Sequence, residues 1–263
     1  MHRVKEKFSV IIPVYNEADI IEKNLREVKA TFDEFGCRYE IIVIDDGSED
    51  ASYQILKRLE RSIPNLIVKR NSQNFGKGRA LKKAFKYTTG DLIVWLDADL
   101  DLHPFQVKTF YDIMVLDDAD VVVGSKLHPN SKLYYPFYRK LITLGYYGII
   151  RFLFNLPCHD TQTGLKLFKK KVLAEVFHRI LVKKFAFDLE VLVNAYYLGF
   201  RIVEAPIVLE NKRLCYRIGL KSITSTLWDT LAVWYRVYIL RYYDRINYYR
   251  RKNLRKEFKR VRR

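Results

Sequence analysis

Two aspartates, Asp97 and Asp99, directly follow a short apolar segment and are separated only by Ala98. The mainly apolar residues 91–96 have the composition of a strand buried on both faces, so the two carboxylates should lie at the carboxyl end of that strand. Carboxylate oxygens are the ligands that Mg²⁺ and Mn²⁺ prefer, and a cation held there can also bind a diphosphate. The pair therefore predicts a metal-dependent site for a diphosphate compound such as a nucleotide sugar.

Polar residues also follow the first two apolar segments of the chain. The sequence Pro13–Glu17 (PVYNE) comes after residues 8–12, and Asp45–Ser48 (DDGS) comes after residues 40–44. An acidic turn such as Asp45–Ser48 can equally be a solvated turn or a helix cap. Three polar strand ends that meet at one edge of a sheet are more easily explained as a binding site.

A glycine-rich segment, Asn74–Ala80 (NFGKGRA), leads into a predicted helix. It lacks the spacing of a phosphate-binding P-loop, and no G-x-G-x-x-G fingerprint of a dinucleotide-binding domain follows the first strand. Lys77 and the neighbouring amides could face a nucleotide phosphate at the helix start, or Lys77 could be a solvated lysine in a tight turn. Lys77 is therefore a candidate phosphate contact outside these two common nucleotide-binding motifs.

The apolar segments alternate with segments of helical periodicity. Strands are predicted at residues 8–12, 40–44, 66–68, 91–96 and 120–123, with a late strand at 201–208, and helices at 17–35, 49–61, 77–88 and 104–116. This alternation predicts an α/β fold with a doubly wound, mostly parallel sheet flanked by helices. Because right-handed crossovers bring the carboxyl ends of the strands to one edge, the three polar strand ends should meet there.

The chain of 263 residues carries a formal net charge of +17, and 49% of its residues are hydrophobic. From Arg241 to the last residue, eleven Lys and Arg residues oppose two acidic residues, a net charge of +9. Such an excess predicts a polyanionic partner: nucleic acid, an anionic membrane surface or a phosphorylated substrate. Aromatic residues among the arginines could stack on bases, but binding of nucleic acid would leave the acidic strand ends unexplained, so no nucleic-acid partner is expected.

The three cysteines, Cys37, Cys158 and Cys215, are too widely spaced to predict a metal cluster or a disulfide framework, which favours a reducing cytosol. The first residues do not have the pattern of a secretory signal. The longest apolar run, at 141–150, is far shorter than the roughly 20 residues of a spanning helix. A cytoplasmic location is therefore expected.

Taken in order, these motifs resemble the family 2 glycosyltransferases with the GT-A fold, and among them the dolichyl- and polyprenyl-phosphate mannose or glucose synthases. The resemblance spans approximately residues 8–225, and its matching segments are residues 10–17, 43–48, 74–78, 97–99 and 160–166. The Asp-x-Asp pair alone is a weak signal, whereas the ordered set is specific for the family.

The resemblance implies roles for the residues at the three strand ends. It implies that the nucleotide is held by Pro13, Tyr15, Glu17 and Asp46, that Asp97 and Ala98 lie near the sugar or ribose, and that Asp99 binds Mg²⁺ or Mn²⁺. A glutamine often follows as a further metal ligand in this branch. Asp101 and His103 occupy that region here, so Asp101 is the expected ligand and His103 is expected to start a helix.

The resemblance also implies a lipid phosphate as the acceptor. In the resembling synthases, an arginine after Gly-Ser, and an arginine with a hydroxyl residue four positions later, are linked to that phosphate. The matching positions in this chain are Lys126, Arg139 and Thr143. Lysine at position 126 keeps the charge but loses the bidentate contact of arginine. Arg139 could alternatively be a solvated or interfacial arginine.

The need for a catalytic base depends on the acceptor. A phosphate monoester is already an anion at neutral pH, so direct in-line displacement with inversion would need no base. A sugar hydroxyl would need one, and Asp160 or the pair Asp188 and Glu190 could serve. Alternatively, that pair stabilises the first turn of a helix through the helix dipole.

Near the C-terminus, apolar and aromatic residues recur three or four positions apart. They are Ile223, Leu227, Leu231, Trp234, Tyr238, Tyr242, Ile246 and Tyr249. This spacing predicts an amphipathic helix that either packs on its own domain or lies in a membrane interface, with the basic tail on anionic lipid. We therefore expect a glycosyltransferase domain at 1–225 and a membrane-surface anchor at 226–263.

These observations together predict a metal-dependent, inverting enzyme that moves a hexose from GDP-mannose or a UDP-hexose to a polyprenyl phosphate. It would act as a peripheral protein at the cytoplasmic face of a membrane. The alternative is a family 2 enzyme that glycosylates a saccharide or another hydroxyl acceptor.

Overall fold

The computed structural model describes residues 4–133, 137–182, 186–209 and 220–245, of which residues 137–142 and 220–223 are described by their backbone alone. The strands in these ranges are β1 (Lys7–Val14), β2 (Arg38–Asp45), β3 (Leu66–Arg70), β4 (Leu92–Trp95), β5 (Val121–Ser125), β6 (Lys132–Leu133), β7 (Lys166–Lys169), β8 (Ile202–Pro206) and β9 (Val208–Leu209). The α-helices are α1 (Ile21–Glu34), α2 (Ser52–Ser62), α3 (Lys77–Phe85), α4 (Val107–Leu116), α5 (Phe137–Phe154), α6 (Lys170–Val176), α7 (Phe187–Tyr197) and α8 (Leu220–Trp234).

Seven of the strands form one sheet in the order β3-β2-β1-β4-β7-β5-β8, and β6 and β9 form a separate two-stranded sheet. Neighbouring strands run parallel everywhere except on the two sides of β7. The predicted α/β architecture, a mostly parallel sheet flanked by helices, is confirmed. The predicted helix start after His103 is also found, because its Nδ1 accepts a hydrogen bond from Phe105 N at the short 3₁₀ turn Pro104–Gln106.

Burial on both faces explains why the central strands lack polar alternation. Val10 and Ile12 of β1 pack into the core on one side of the sheet, and Ile11 packs on the other side. Helix α1 covers the first side with Ile21 and Leu25, which are four positions apart and therefore lie on one helical face. Helices on both faces exclude water from the sheet, and the carboxyl edge of the sheet stays open for polar residues.

Strand β7 is the part of the sheet that the sequence did not predict. It lies antiparallel between β4 and β5, and its four residues, KLFK, are too few and too charged to stand out as a buried strand. Because β7 runs against its neighbours, its first residue, Lys166, lies opposite Trp95, the last residue of β4. The reversal brings a lysine to the edge of the sheet where the Asp97–Asp99 pair begins.

The C-terminal segment is helical, but it is not the one continuous helix that the spacing predicted. Helix α8 passes into a π-helical turn at Tyr235–Ile239, and a left-handed residue, Arg241 (φ 46°), separates that turn from a short helical stretch at 242–245. Thr230, Val233 and Tyr243 of this segment are buried.

The expected division at residue 225 falls within α8 and stays a prediction. Most of the basic tail, with Ile246 and Tyr249, lies outside the described residues. In the described ranges, no helix combines the length and the hydropathy needed to cross a membrane.

Candidate active site

A cavity of about 330 Å³ opens at the carboxyl edge of β1, β2 and β4. Its lining consists of Pro13, Val14, Tyr15, Glu17, Asp46, Asn74, Gly76, Lys77, Asp97, Ala98 and Asp99. The structure thus brings together all eight residues that were expected from the sequence to contact the donor, and their role in binding stays a prediction. Val14, Asn74 and Gly76 had no assigned role, although Asn74 and Gly76 belong to the glycine-rich segment that signalled a phosphate contact.

Hydrogen bonds between the loops after β1 and β2 hold the first two strand ends together. Asn16, in the left-handed region (φ 54°), donates its backbone N–H to Ser48 Oγ (3.0 Å), and its side-chain oxygen accepts from Glu49 N (2.9 Å). Glu17 N donates to Ser52 Oγ (2.8 Å). These contacts fix the turn that presents Tyr15 and Glu17 to the cavity.

Asp46 holds the glycine-rich loop in place. Its carboxylate, which is almost fully buried, accepts from Asn71 Nδ2 (2.6 Å), Phe75 N (3.2 Å) and Gly76 N (2.7 Å). Gly76 has a φ of 95°, a conformation that favours glycine. Asp46 therefore has a structural task in addition to the nucleotide contact that the resemblance implies, since it sets the position from which Lys77 enters α3.

Lys77 and Asp97 form an ion pair across the cavity floor. Partial burial disfavours the charged form of Asp97, but the Lys77 ammonium, with smaller contributions from Lys166 and Lys126, keeps the pKa of that carboxyl below its usual value. Conversely, burial works against the charged form of Lys77, and the carboxylates of Asp97, Asp188 and Asp99 hold its pKa above the ordinary lysine value. Both groups are therefore charged at neutral pH.

The pKa of Asp99 is shifted in the opposite direction to that of Asp97. Burial, followed by the negative charges of Asp97 and Asp101, raises its pKa to about 6. Asp101 N also donates to Asp99 Oδ1 (3.2 Å), so the two residues of the expected metal site are adjacent. A divalent cation would relieve this concentration of negative charge, and carboxylate oxygens are suitable ligands for Mg²⁺ or Mn²⁺.

No cluster of three His, Cys, Asp or Glu side chains arranged for a metal ion occurs in the described part of the chain. Two carboxylates fit a site in which substrate phosphate oxygens and water complete the coordination. The assignment of Asp99 and Asp101 as metal ligands stays a prediction.

On the acceptor side, Lys126 pairs with a buried carboxylate. Its ammonium lies 3.0 Å from Asp160 Oδ2, and Asp160 also accepts from Thr163 Oγ1 (2.6 Å) and Gln162 N (3.0 Å). Burial alone would raise the pKa of Asp160, but Lys126 and these hydrogen bonds keep it below its usual value. The Lys126 ammonium is therefore held by Asp160, and its side chain is partly exposed.

The other two expected acceptor residues lie on α5. The side chain of Arg139 is outside the described residues, and Thr143 is partly buried six residues after the start of α5. The structure therefore leaves the expected contact of Arg139 and Thr143 with a phosphate as a prediction.

Asp188 and Glu190, the expected pair of bases, have separate partners. Asp188 accepts from Lys166 Nζ (2.6 Å). Glu190 is fully buried and accepts from Leu181 N (3.0 Å), Val182 N (2.7 Å) and Tyr243 Oη (2.5 Å). These contacts give both carboxylates a structural task, and their action as bases stays a prediction.

Curated relatives match most of this chain. It is 29% identical over 206 residues to glycosyltransferase AglD of Haloferax volcanii, covering 78% of this chain and 33% of that protein. It is 29% identical over 208 residues to dolichyl-phosphate beta-glucosyltransferase ALG5A of Trichomonas vaginalis, covering 76% and 64%. It is 32% identical over 205 residues to dolichol-phosphate mannosyltransferase of Pyrococcus furiosus, covering 76% and 55%. The chain thus spans between a third and two thirds of the length of these relatives.

Solved structures share the fold. Glucosyl-3-phosphoglycerate synthase from Mycobacterium tuberculosis, in complex with UDP, has a TM-score of 0.65 at 18% identity over 88% of this chain and 79% of that one. Mannosyltransferase PcManGT from Pyrobaculum calidifontis, in complex with GDP-Man and Mn²⁺, has a TM-score of 0.56 at 19% identity over 81% and 59%. The fold is of the GT-A type. The model of the family described as glycosyl transferase family 2 matches residues 9–177, and the chain therefore belongs to that family.

Proposed function

We propose that this chain transfers a hexose from a nucleotide sugar to a polyprenyl phosphate, with Mg²⁺ or Mn²⁺, at the cytoplasmic face of a membrane. The donor would be GDP-mannose or a UDP-hexose. The cavity formed by three polar strand ends supports the donor part of this proposal, as do family membership and fold neighbours with bound UDP or GDP-Man.

The residues present fit a nucleoside diphosphate and its metal ion. Asp99 and Asp101 would hold the cation, which when bound would stabilise the negative charge that grows on the leaving diphosphate. Lys77, at the first position of α3, supplies a fixed positive charge at a helix N-terminus, where phosphates are favoured. Tyr15 is partly exposed at the cavity wall and offers a surface for the nucleotide base or ribose.

The acceptor is proposed from one observation about the candidate bases. Asp160, Asp188 and Glu190 are the carboxylates that could act as the base for a hydroxyl acceptor. Each of them already forms an ion pair or accepts hydrogen bonds from other groups of the protein. The lowered pKa of Asp160 makes it a weak base. A phosphate monoester needs no base, because its attacking oxygen is already negative. In-line displacement with inversion would then be sufficient.

The names of two relatives agree with a phosphate acceptor, since both contain dolichyl or dolichol phosphate. The side chain of Lys126 is partly exposed, and its charge helps to lower the pKa of the cavity residue Asp97. Lys126 would contribute positive charge to that phosphate. Lysine serves this purpose as a point charge.

Exposed apolar residues support attachment to a membrane surface. Helix α5 exposes Leu144 and Phe152, and α8 exposes Trp228 and Leu231, with Phe152 89% and Trp228 73% accessible. The two helices are joined by a hydrogen bond between Tyr146 Oη and Thr230 Oγ1 (3.0 Å). Large apolar side chains on helices that precede a basic tail are typical of peripheral binding to anionic lipid.

A transfer assay would test the proposal. Purified protein with Mg²⁺ or Mn²⁺ is incubated with radiolabelled GDP-mannose, UDP-glucose or UDP-N-acetylglucosamine, with and without a polyprenyl phosphate in detergent. Lipid-dependent appearance of label in the organic phase is expected with one donor. Metal-dependent turnover of the donor without labelled lipid would support a hydroxyl acceptor instead, and no turnover of any donor would contradict the proposal.

Asp160→Asn separates the two acceptors within the same assay. Transfer to a phosphate should fall by less than about tenfold, because the variant perturbs Lys126, Gln162 and Thr163 but removes no group that deprotonates the acceptor. Transfer to a hydroxyl should fall by about 10²-fold or more, because general-base catalysis typically contributes that much.

A further inference from the structure

Lys166 is a fully buried lysine that the proposed reaction does not use. It is the first residue of β7, and its side chain has no exposed surface. Its ammonium donates to Asp188 Oδ1 (2.6 Å) and to the backbone carbonyl of Thr163, and it lies 5.9 Å from the centre of the Trp95 ring. A buried ion pair is weak as a device for stability, because apolar residues of similar volume stabilise a core at least as well.

The Thr163 carbonyl belongs to a turn that touches the cavity floor. The next residue, Gly164, lies so close to Asp97 that a Cβ atom on it would overlap Asp97 Oδ2. Lys166 therefore holds this turn through the Thr163 carbonyl, while Lys77, which lines the cavity, pairs with Asp97. The carboxylate of Asp97 is confined between the Gly164 backbone and the Lys77 ammonium.

Asp188 completes the arrangement from a third element. It lies in the first turn of α7 and is almost fully buried, and Lys166 supplies its charge partner. The pair thus ties α7 to the first residue of β7 and, through the Thr163 carbonyl, to the turn beside Asp97. Helix α7 and the segment that leads into β7 thus meet next to one carboxylate of the proposed donor site.

We infer that Lys166 and Asp188 are positioning residues for the donor: the pair fixes the Thr163–Gly164 turn and thereby the place of the Asp97 carboxylate. This inference rests on the proposed function, since it assigns Asp97 to the sugar-bearing part of the donor. A functional side chain loses efficiency when its position deviates from the productive geometry by more than about 0.5 Å. Loosening the turn should therefore affect turnover more than nucleotide binding.

The test compares two neutralised ion pairs on the same strand. The double variant Lys166→Met/Asp188→Asn removes both charges and leaves no unpaired buried ion, which a single Lys166→Met change would leave. The matched control is Lys169→Met/Asp118→Asn, which removes a surface pair (3.1 Å) at the other end of β7. Gly164→Ala is a third variant, because it displaces Asp97 without touching either charge.

Each variant is examined for kcat, for the KM of the donor, and for nucleoside diphosphate binding by calorimetry in Mn²⁺. We expect the double variant and Gly164→Ala to lower kcat about 10- to 100-fold. The dissociation constant of the nucleoside diphosphate should stay within threefold of wild type, with unchanged stoichiometry. The control should stay within twofold in all parameters.

Two outcomes would overturn the inference. The first is a double variant with kcat/KM within twofold of wild type. The second is a loss of kcat that is matched by a loss of binding stoichiometry, because a merely structural pair would reduce the folded fraction and not the turnover of folded molecules.

Failure of the proposed function would be seen separately, as absence of turnover in the wild type. The inference is then judged by the ratio of the affinities for nucleotide sugar and nucleoside diphosphate. A ratio that changes in the double variant and in Gly164→Ala, but not in the control, supports positioning of Asp97. A ratio that is the same in all of these proteins contradicts it.

Discussion

The ammonium of Lys77 donates to the carboxylate of Asp97, which joins the first residue of α3 to the loop that follows β4. Neither residue is close to the other in sequence, and both line the cavity. The pair places a positive charge beside the carboxylate expected to face the sugar or ribose, and this charge keeps Asp97 ionised. In the proposed reaction Lys77 would also contact a donor phosphate.

Lys77→Met should impair use of the donor. Without the ammonium, Asp97 loses the main interaction that lowers its pKa and the phosphates lose a fixed charge, so kcat/KM for the nucleotide sugar should fall about 100-fold. Steady-state kinetics at pH 7 measure this. Lys82→Met, on the same helix but directed to Ile180 O, is the control and should stay within threefold of wild type. Equal effects of the two changes would contradict the assignment of Lys77.

Asp99→Asn should abolish turnover and stabilise the metal-free protein. The pKa of Asp99 is about 6 in the folded state, above the ordinary value of 3.8, so the folded state binds more protons between these values. This carboxyl therefore lowers stability as pH rises through that window, and the penalty is complete above pH 6. After allowance for solvent screening, the variant should gain about 1 kcal/mol in the free energy of unfolding at pH 7.

Urea unfolding in a chelator at pH 7 and near pH 4 checks the sign of this effect. The stabilisation by Asp99→Asn should shrink towards zero at the lower pH, where the wild-type carboxyl is protonated. A difference that does not depend on pH would show that it does not come from the ionisation of Asp99.

Glu40→Gln should lower stability without affecting the site. Glu40 lies at the opposite edge of the sheet, where it accepts from Lys7 Nζ (2.7 Å), Ser9 Oγ (2.6 Å) and Thr89 N (2.6 Å). Burial opposes its ionisation, but these contacts lower its pKa to about 2. Its contribution is therefore complete above pH 4.5 and is lost as pH falls towards 2.

At pH 7 the free energy of unfolding of Glu40→Gln should fall by about 2 kcal/mol. The kcat of the folded protein should be unchanged, and the difference in stability should narrow on acidification towards pH 2. A large loss of kcat at a temperature where the variant is folded would contradict the location of the active site at the carboxyl edge of the sheet, away from Glu40.

Phe152→Glu and Trp228→Glu should weaken binding to anionic vesicles. Each change places a charge at an exposed apolar position of α5 or α8, where insertion into the lipid interface would otherwise bury an aromatic ring. Sedimentation with phosphatidylserine-containing vesicles should show about a tenfold loss of partitioning. Leu116→Glu, at an equally exposed position of α4 (84% accessible), is the control and should bind as wild type does. Equal losses in all three would argue against α5 and α8 as the membrane-facing helices.

The sequence by itself determined the alternating architecture and the strand ends that carry polar residues. These features depend on local patterns: continuous apolar runs for β1, β2 and β4, and polar residues such as Tyr15, Asp46 and Asp99 directly after them. Because parallel strands with right-handed crossovers share one edge, local order along the chain was enough to predict that these residues meet.

The tertiary structure decided which charges are partners. Lys166 and Asp188 are 22 positions apart, and Glu190 meets Tyr243, 53 positions away. A lysine in a short charged strand and two acids at a helix start look solvent-exposed when only their neighbours in sequence are considered. They are buried because β7 inserts antiparallel between β4 and β5, and α7 packs against it. Such pairings depend on contacts between distant segments, which leave no periodic signal in the sequence.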